Sequence, residues 1–196
     1  GSWSYSHSLP GLSTQAVPAP ISAWAAVGPV PDLSALRPER RLGLDAIPLR
    51  EVPPWLGIDR ALAGWGAWIK SERNGSQMVV DAGTVLSLTR VTGDGAFNGG
   101  WLAAGLRLQL RAMAEGTQAL PDPDVEKELP SDGMPFPRDP CEAMRRGVFE
   151  SLVGLIIQAQ ERDPSPLWLC GGDAPLLTPV LLKRGLEVNH APNLVM

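Results

Sequence analysis

Four short stretches of this chain combine residue types that could do chemistry. The first is Asp81-Ala82-Gly83-Thr84, where a carboxylate, a glycine and a hydroxyl stand at one chain bend. Gly83 lets backbone N–H groups approach an anion, Thr84 offers a hydroxyl, and Asp81 supplies a hard oxygen for a cation. The same residue types are common in plain turns between strands. The second stretch is Gly57-Ile58-Asp59-Arg60. Asp59 falls near a helix N-terminus, where the macrodipole favours a carboxylate. Such a group can accept a proton from a hydroxyl, and Arg60 can grip a substrate carboxylate through a bidentate bond. An N-cap aspartate beside a surface arginine is the plainer reading of these residues. The third stretch, Gly171-Gly172-Asp173-Ala174-Pro175, is a glycine pair at a strand end opening a helix, which presents backbone donors to a phosphate or nucleotide. The fourth, Gly99-Gly100-Trp101-Leu102 leading to Gly105, permits close packing or ligand approach between a hairpin and a helix.

The elements that must position these residues follow from periodicity. Val79 and Val80 read as a buried strand, and Leu86, Leu88 and Val91 as a second one. Asp94-Gly95 between them and the next segment is a type I′ hairpin signal. Ala61, Leu62, Trp65, Trp68 and Ile69 recur at helical spacing, so a helix is predicted over 59–72, stopped by Asn74-Gly75. A second helix is predicted over 102–115 with Leu102, Leu106, Leu110 and Met113 on its stripe and Gly116 as its cap. Residues 141–161 give the strongest helical pattern, through Met144, Val148, Leu152, Leu155, Ile156 and Ala159. Leu167–Cys170 reads as a short buried strand, 176–184 as a helix and Glu187-Val188 as a last strand. Nearer the start, 21–27 and 42–49 read as short strands and 31–41 as one or two helical turns. Trp3 and Tyr5 suggest a strand remnant, and the proline-rich segment 121–140 a loop or lid. Trp55, Trp65, Trp68 and Trp101 read as core. Strands and helices alternate, which predicts an α/β layer architecture.

Composition narrows the function classes. At 196 residues, with 44% hydrophobic and 19% charged residues, the chain can bury a sizeable core. A net charge of −4 argues against nucleic acid as a partner. His7 and His190 are too few and too far apart for a zinc site, and Cys141 and Cys170 stand alone as reduced thiols. No apolar run approaches the ~20 residues of a membrane helix, and no signal segment is legible, so a cytoplasmic location is expected. There is no GxxxxGK[ST] and no G-x-S-x-G, which disfavours P-loop and triad chemistry. The three lysines, Lys70, Lys127 and Lys183, all lie outside the glycine stretches.

In order, GIDR at 57–60, VVDAGT at 79–84, GDGAFNGGWLAAGL at 93–106, TQALP at 117–121 and LCGGDAPLL at 169–177 resemble type III pantothenate kinase, with a cyanobacterial flavour. AWAAVGPVP at 23–31 is similar to the family segment before GxDR. The resemblance implies a ribonuclease H-like (actin-like ATPase) two-lobed α/β fold, with residues 1–75 as an incomplete N-terminal lobe and 76–196 as the C-terminal lobe. It implies ATP-dependent phosphorylation of pantothenate, the first step of coenzyme A synthesis. By the same resemblance Asp59 is the proton acceptor and Gly57, Ile58, Asp59 and Arg60 line the pantothenate pocket. Asp81 holds a monovalent cation, potassium or ammonium. Gly83, Thr84, Gly171 and Gly172 contact ATP, which arrives with Mg2+. A homodimer with the site near its interface is also implied. Phosphoryl transfer is mostly positioning and charge neutralisation, so such a set can act without a lysine.

The chain departs from the family pattern at several places. Relatives open with a strand carrying a D-x-G-N-T/S phosphate loop, and this sequence shows none, so its first strand is expected to be missing. A family threonine before the long helix aligns with Pro140, and a tyrosine before GxDR has no counterpart. Ser87 and Thr89 stand where the family often has Thr and Asp. The alternative function is therefore a catalytically impaired, pseudokinase-like binding relative.

Overall fold

The consecutive apolar residues Met78, Val79 and Val80 in Gln77–Ala82 build the central strand, β1, buried on both faces. The computed structural model describes residues 21–28, 30, 36–121 and 135–194. β1 is followed by β2 (Val85–Val91), β3 (Phe97–Ala104), β4 (Leu167–Cys170) and β5 (Val188–His190) in one sheet of order β3-β2-β1-β4-β5. β1–β2 and β2–β3 are antiparallel, whereas β1–β4 and β4–β5 are parallel. The chain thus makes a three-stranded meander, crosses through helices, and returns to the other side of β1. This order, with β2 alone antiparallel to the rest of its side, is that of the ribonuclease H-like, actin-like ATPase fold.

The period of two sends Met78, Val80, Ala82, Leu86 and Leu88 to one face, where α2 (Leu106–Gly116), α3 (Pro140–Arg162) and α4 (Ala174–Lys183) cover them. α3 supplies Met144, Val148, Phe149, Leu152, Val153, Ile156 and Ala159 to this core. Full burial of one such side chain contributes about 1.5–3 kcal/mol. Asp139 caps α3 by accepting from the Glu142 N–H at 3.0 Å, and Pro140 occupies the first helical position, where its missing N–H costs nothing. The opposite face meets α1 (Ile58–Lys70) through Ala61, Ala63, Gly64 and Ala67. The spacing predicts this helix correctly, but its deepest face is this small-residue stripe. Leu62, Trp65 and Trp68 flank it and pack with Ile47, Leu49 and Leu56.

Several expectations are corrected. Residues 21–27 form no strand and contribute only an isolated bridge from Trp24 to Arg41; three alanines give little β preference. Residues 42–49 hold a 3₁₀ turn at Leu44–Ala46 in place of a strand, and Pro48 lacks the donor that a ladder needs. Leu102 is not on α2 but on β3, where it is 63% exposed. α2 begins at Leu106 and keeps Gly116 as its last residue, with Thr117 as the cap. The 92–96 bend is not type I′, because of its residues only Gly95 has positive φ (+77°). Gly95 N–H donates to the Thr92 carbonyl and Thr92 N–H to the Ala96 carbonyl, both at 2.9 Å, which is a type I turn with a glycine bulge. Trp55 is 69% exposed rather than core. The 1–20 strand remnant and most of the predicted loop or lid lie outside the described residues. None of the described helices is long and apolar enough to cross a membrane.

Where α3 ends, Asp163 donates its N–H to Ala159 at 3.0 Å and its carboxylate accepts from Arg90 of β2 and from Ser165 Oγ at 2.6 Å. Burial alone would raise this carboxyl; the Ser165 and Arg90 hydrogen bonds outweigh it and hold it below the ordinary carboxylate range. A depressed folded value means stability present above the unfolded value and lost as pH falls through the folded one. Asp163→Asn is therefore expected to be less stable than the wild type near neutrality. Urea midpoints of the two proteins should converge below about pH 3.9, the unfolded value for aspartate. A gap that persists undiminished at low pH would refute the link.

Candidate functional site

Because β1 and β4 are parallel neighbours, the turns that leave their carboxyl ends emerge side by side, the usual ligand position in an open α/β sheet. The β1–β2 turn carries Gly83 and Thr84, and the β4–α4 turn carries Gly171, Gly172 and Asp173. Asp173 N–H donates to the Ala82 carbonyl at 2.9 Å, which clamps one turn to the other. Gly171 adopts φ +91°, and a Cβ there would lie 2.4 Å from Asp81 Oδ1 and 2.6 Å from Ala82 N. No other residue fits. On the far side, Gly105 N–H donates to the Thr84 carbonyl at 2.9 Å, and a Cβ at Gly105 would lie 2.1 Å from the Gly83 carbonyl oxygen. The turn is thus held between α2 and the β4–α4 loop, with Thr84 and Gly172 exposed.

Asp81 is half-buried, pairs in register with Ser87 on β2 and Cys170 on β4, and makes no hydrogen bond or ion pair among the described residues. Burial pushes its carboxyl above the ordinary range, and the charge of Asp59 adds to the effect. Asp59 is the second residue of α1, after the N-cap Gly57, and accepts from Arg60 N–H at 2.8 Å. Its charge reaches Asp81 and Cys170, so α1 brings the two predicted carboxylates within electrostatic reach of each other. Burial, then Asp81 and Asp59, push the Cys170 thiol far up, which makes it a protonated, inert neighbour. An uncompensated, half-buried carboxylate beside a second one suits a cation. Among the described residues no group of three His, Cys, Asp or Glu could by itself enclose a metal.

Arg60 is only partly free for a ligand. Its Nε donates to Thr89 Oγ1 at 3.0 Å and its Nη2 to the Leu88 carbonyl at 3.2 Å, while the guanidinium lies 5.9 Å from the Phe97 ring centroid. Burial lowers its pKa and the neighbouring Asp59 opposes that. Gly57 and Ile58 border a cavity of about 580 Å³ whose wall includes Leu42, Leu44, Leu56 and Arg41. Asp173, half-buried at the start of α4, has its carboxyl raised by burial and partly lowered by Arg107. Sequence reasoning does not single out Arg107, because in the alternating run Leu106-Arg107-Leu108-Gln109 it reads as a solvated face. The one available signal is a cation in the first turn of a helix.

The sequence profile of type III pantothenate kinase matches residues 35–162. The chain belongs to the type III pantothenate kinase family. Two Synechococcus relatives bearing that name are each 36% identical, over 187 and 164 residues, covering 91% and 79% of this chain. A Dechloromonas aromatica type III pantothenate kinase is 33% identical over 176 residues, covering 88% of this chain. The chain spans 72%, 64% and 68% of these three relatives. Among solved structures, a Campylobacter jejuni protein assigned to a Baf family of transcriptional activators superposes with TM-score 0.50 at 22% identity, covering 79% of this chain and 68% of its own. That likeness concerns the fold alone.

The contact at Gly171 generates a direct test. Gly171→Ala is expected to lower the unfolding free energy by about 1–3 kcal/mol, from strained φ and the clash with Asp81 and the β1 backbone. Gly172→Ala, with open space around its Cα, should cost much less. Urea denaturation of both variants checks this, and equal costs would contradict it.

Proposed function

We propose that this chain phosphorylates pantothenate to 4'-phosphopantothenate with ATP, the first step of coenzyme A biosynthesis. The observation that carries the reading is the half-buried Asp81 carboxylate beneath two clamped glycine turns, within electrostatic reach of Asp59, in a chain of this family. In this reading Asp59 accepts the proton of the substrate's primary hydroxyl. The freed oxygen forms a bond to the γ-phosphorus as the bond to the β-γ bridging oxygen breaks, and ADP leaves with that electron pair. Gly57, Ile58 and Arg60 hold pantothenate, whose aliphatic body suits the leucine-walled cavity. Gly83, Thr84, Gly171 and Gly172 present backbone donors and a hydroxyl to ATP. Asp81 would hold potassium or ammonium, and Mg2+ would arrive with the ATP; these cations neutralise phosphate charge. Residues 1–75 and 76–196 act as the two lobes, and the working form is a cytoplasmic homodimer.

Incubating the protein with pantothenate, Mg-ATP and potassium should release ADP and yield 4'-phosphopantothenate detectable by mass spectrometry. Asp59→Asn should lower kcat by about 10²- to 10⁴-fold, the usual contribution of a general base, with the KM for ATP little changed. Full activity in that variant would remove Asp59 from the proton-accepting role. A wild type that binds both substrates without turnover would sink the kinase reading.

A further inference from the structure

A nucleoside triphosphate brings several negative charges to the mouth between the β1–β2 and β4–α4 turns, yet neither glycine turn contains a lysine. Resting on the kinase reading above, we propose that Arg107 binds the non-transferred phosphates of the nucleotide and so sets nucleotide affinity. The first support is position. Gly105 N–H donates to the Thr84 carbonyl at 2.9 Å, so Arg107, the second residue of α2, stands beside the turn that carries Gly83 and Thr84. The second support comes from the opposite wall. The Arg107 charge is felt by Asp173, whose own N–H is clamped to the Ala82 carbonyl at 2.9 Å.

The third support is availability. Arg60 donates to Thr89 and Leu88, and Arg90 pairs with Asp163. Arg107 is exposed, and among the described residues no carboxylate lies within ion-pairing distance of it. Its placement is also unfavourable locally. A cation in the first turn opposes the helix macrodipole, and α2 has no acidic residue there to offset it. Residues that break a local rule without a local gain are found where function requires them. A guanidinium has the planar fork that engages phosphate oxygens in pairs, which lets it take the place of a lysine.

The test compares wild type, Arg107→Gln and Arg107→Lys by titration with a fluorescent N-methylanthraniloyl ATP and by steady-state kinetics. Arg107→Gln is expected to raise the nucleotide Kd and the KM for ATP about tenfold, the loss of one charge-assisted hydrogen bond, and Arg107→Lys less. The KM for pantothenate and the melting temperature should stay unchanged, which a merely structural role would not allow. A nucleotide Kd within twofold of wild type in Arg107→Gln, or an equal rise in both KM values, overturns the inference. If the wild type binds nucleotide but does not phosphorylate pantothenate, the kinase reading falls and the binding comparison still decides Arg107. If the wild type binds no nucleotide, both fall.

Discussion

The parallel pairing of β1 with β4 is the contact on which the site depends. It sets Asp81 opposite Cys170 and brings the two following turns to one edge, where the Asp173–Ala82 hydrogen bond locks them. Each turn is fixed by backbone bonds and by the absence of a side chain at Gly105 and Gly171. The sheet that bears them is backed by the apolar core of β1, β2, α3 and α4.

Charge in the site is arranged with little internal compensation. Asp59 and Asp81 repel each other, and burial disfavours ionisation of Asp81. The arginine nearest by sequence, Arg60, is turned towards β2 rather than onto Asp81. Asp59 has the Arg60 N–H as a partner, whereas Asp81 has none among the described residues, which leaves its half-buried carboxylate with a preference for a positively charged neighbour.

Much of this was legible in the sequence, and the failures are instructive. Asp81-Ala-Gly83-Thr84 and Gly171-Gly172 lie where strand-then-turn patterning puts them, and the α3 period and the Leu167–Cys170 strand need no tertiary information. α1 was legible in type but not in phase, because alanines and a glycine carry almost no hydropathy signal yet form the face that approaches the sheet. β3 was obscured by Gly99 and Gly100, and Leu102 matched the helical stripe of α2 by chance of spacing. What ends β3 and starts α2 is the Gly105–Thr84 bond, a contact between residues twenty-one positions apart that no local pattern contains. Electrostatic reach between Asp59 and Asp81, or between Arg107 and Asp173, is likewise a product of topology.

The Arg60 tether has a mechanical consequence. By binding the Leu88 carbonyl and Thr89 hydroxyl, it rivets the start of α1 to β2, the strand that also bears one arm of the phosphate turn. Asp59, the residue before this tether, and Asp81, on the strand paired with β2, are thereby held to one sheet, so their spacing is set by backbone pairing and not by the rotamers of long side chains.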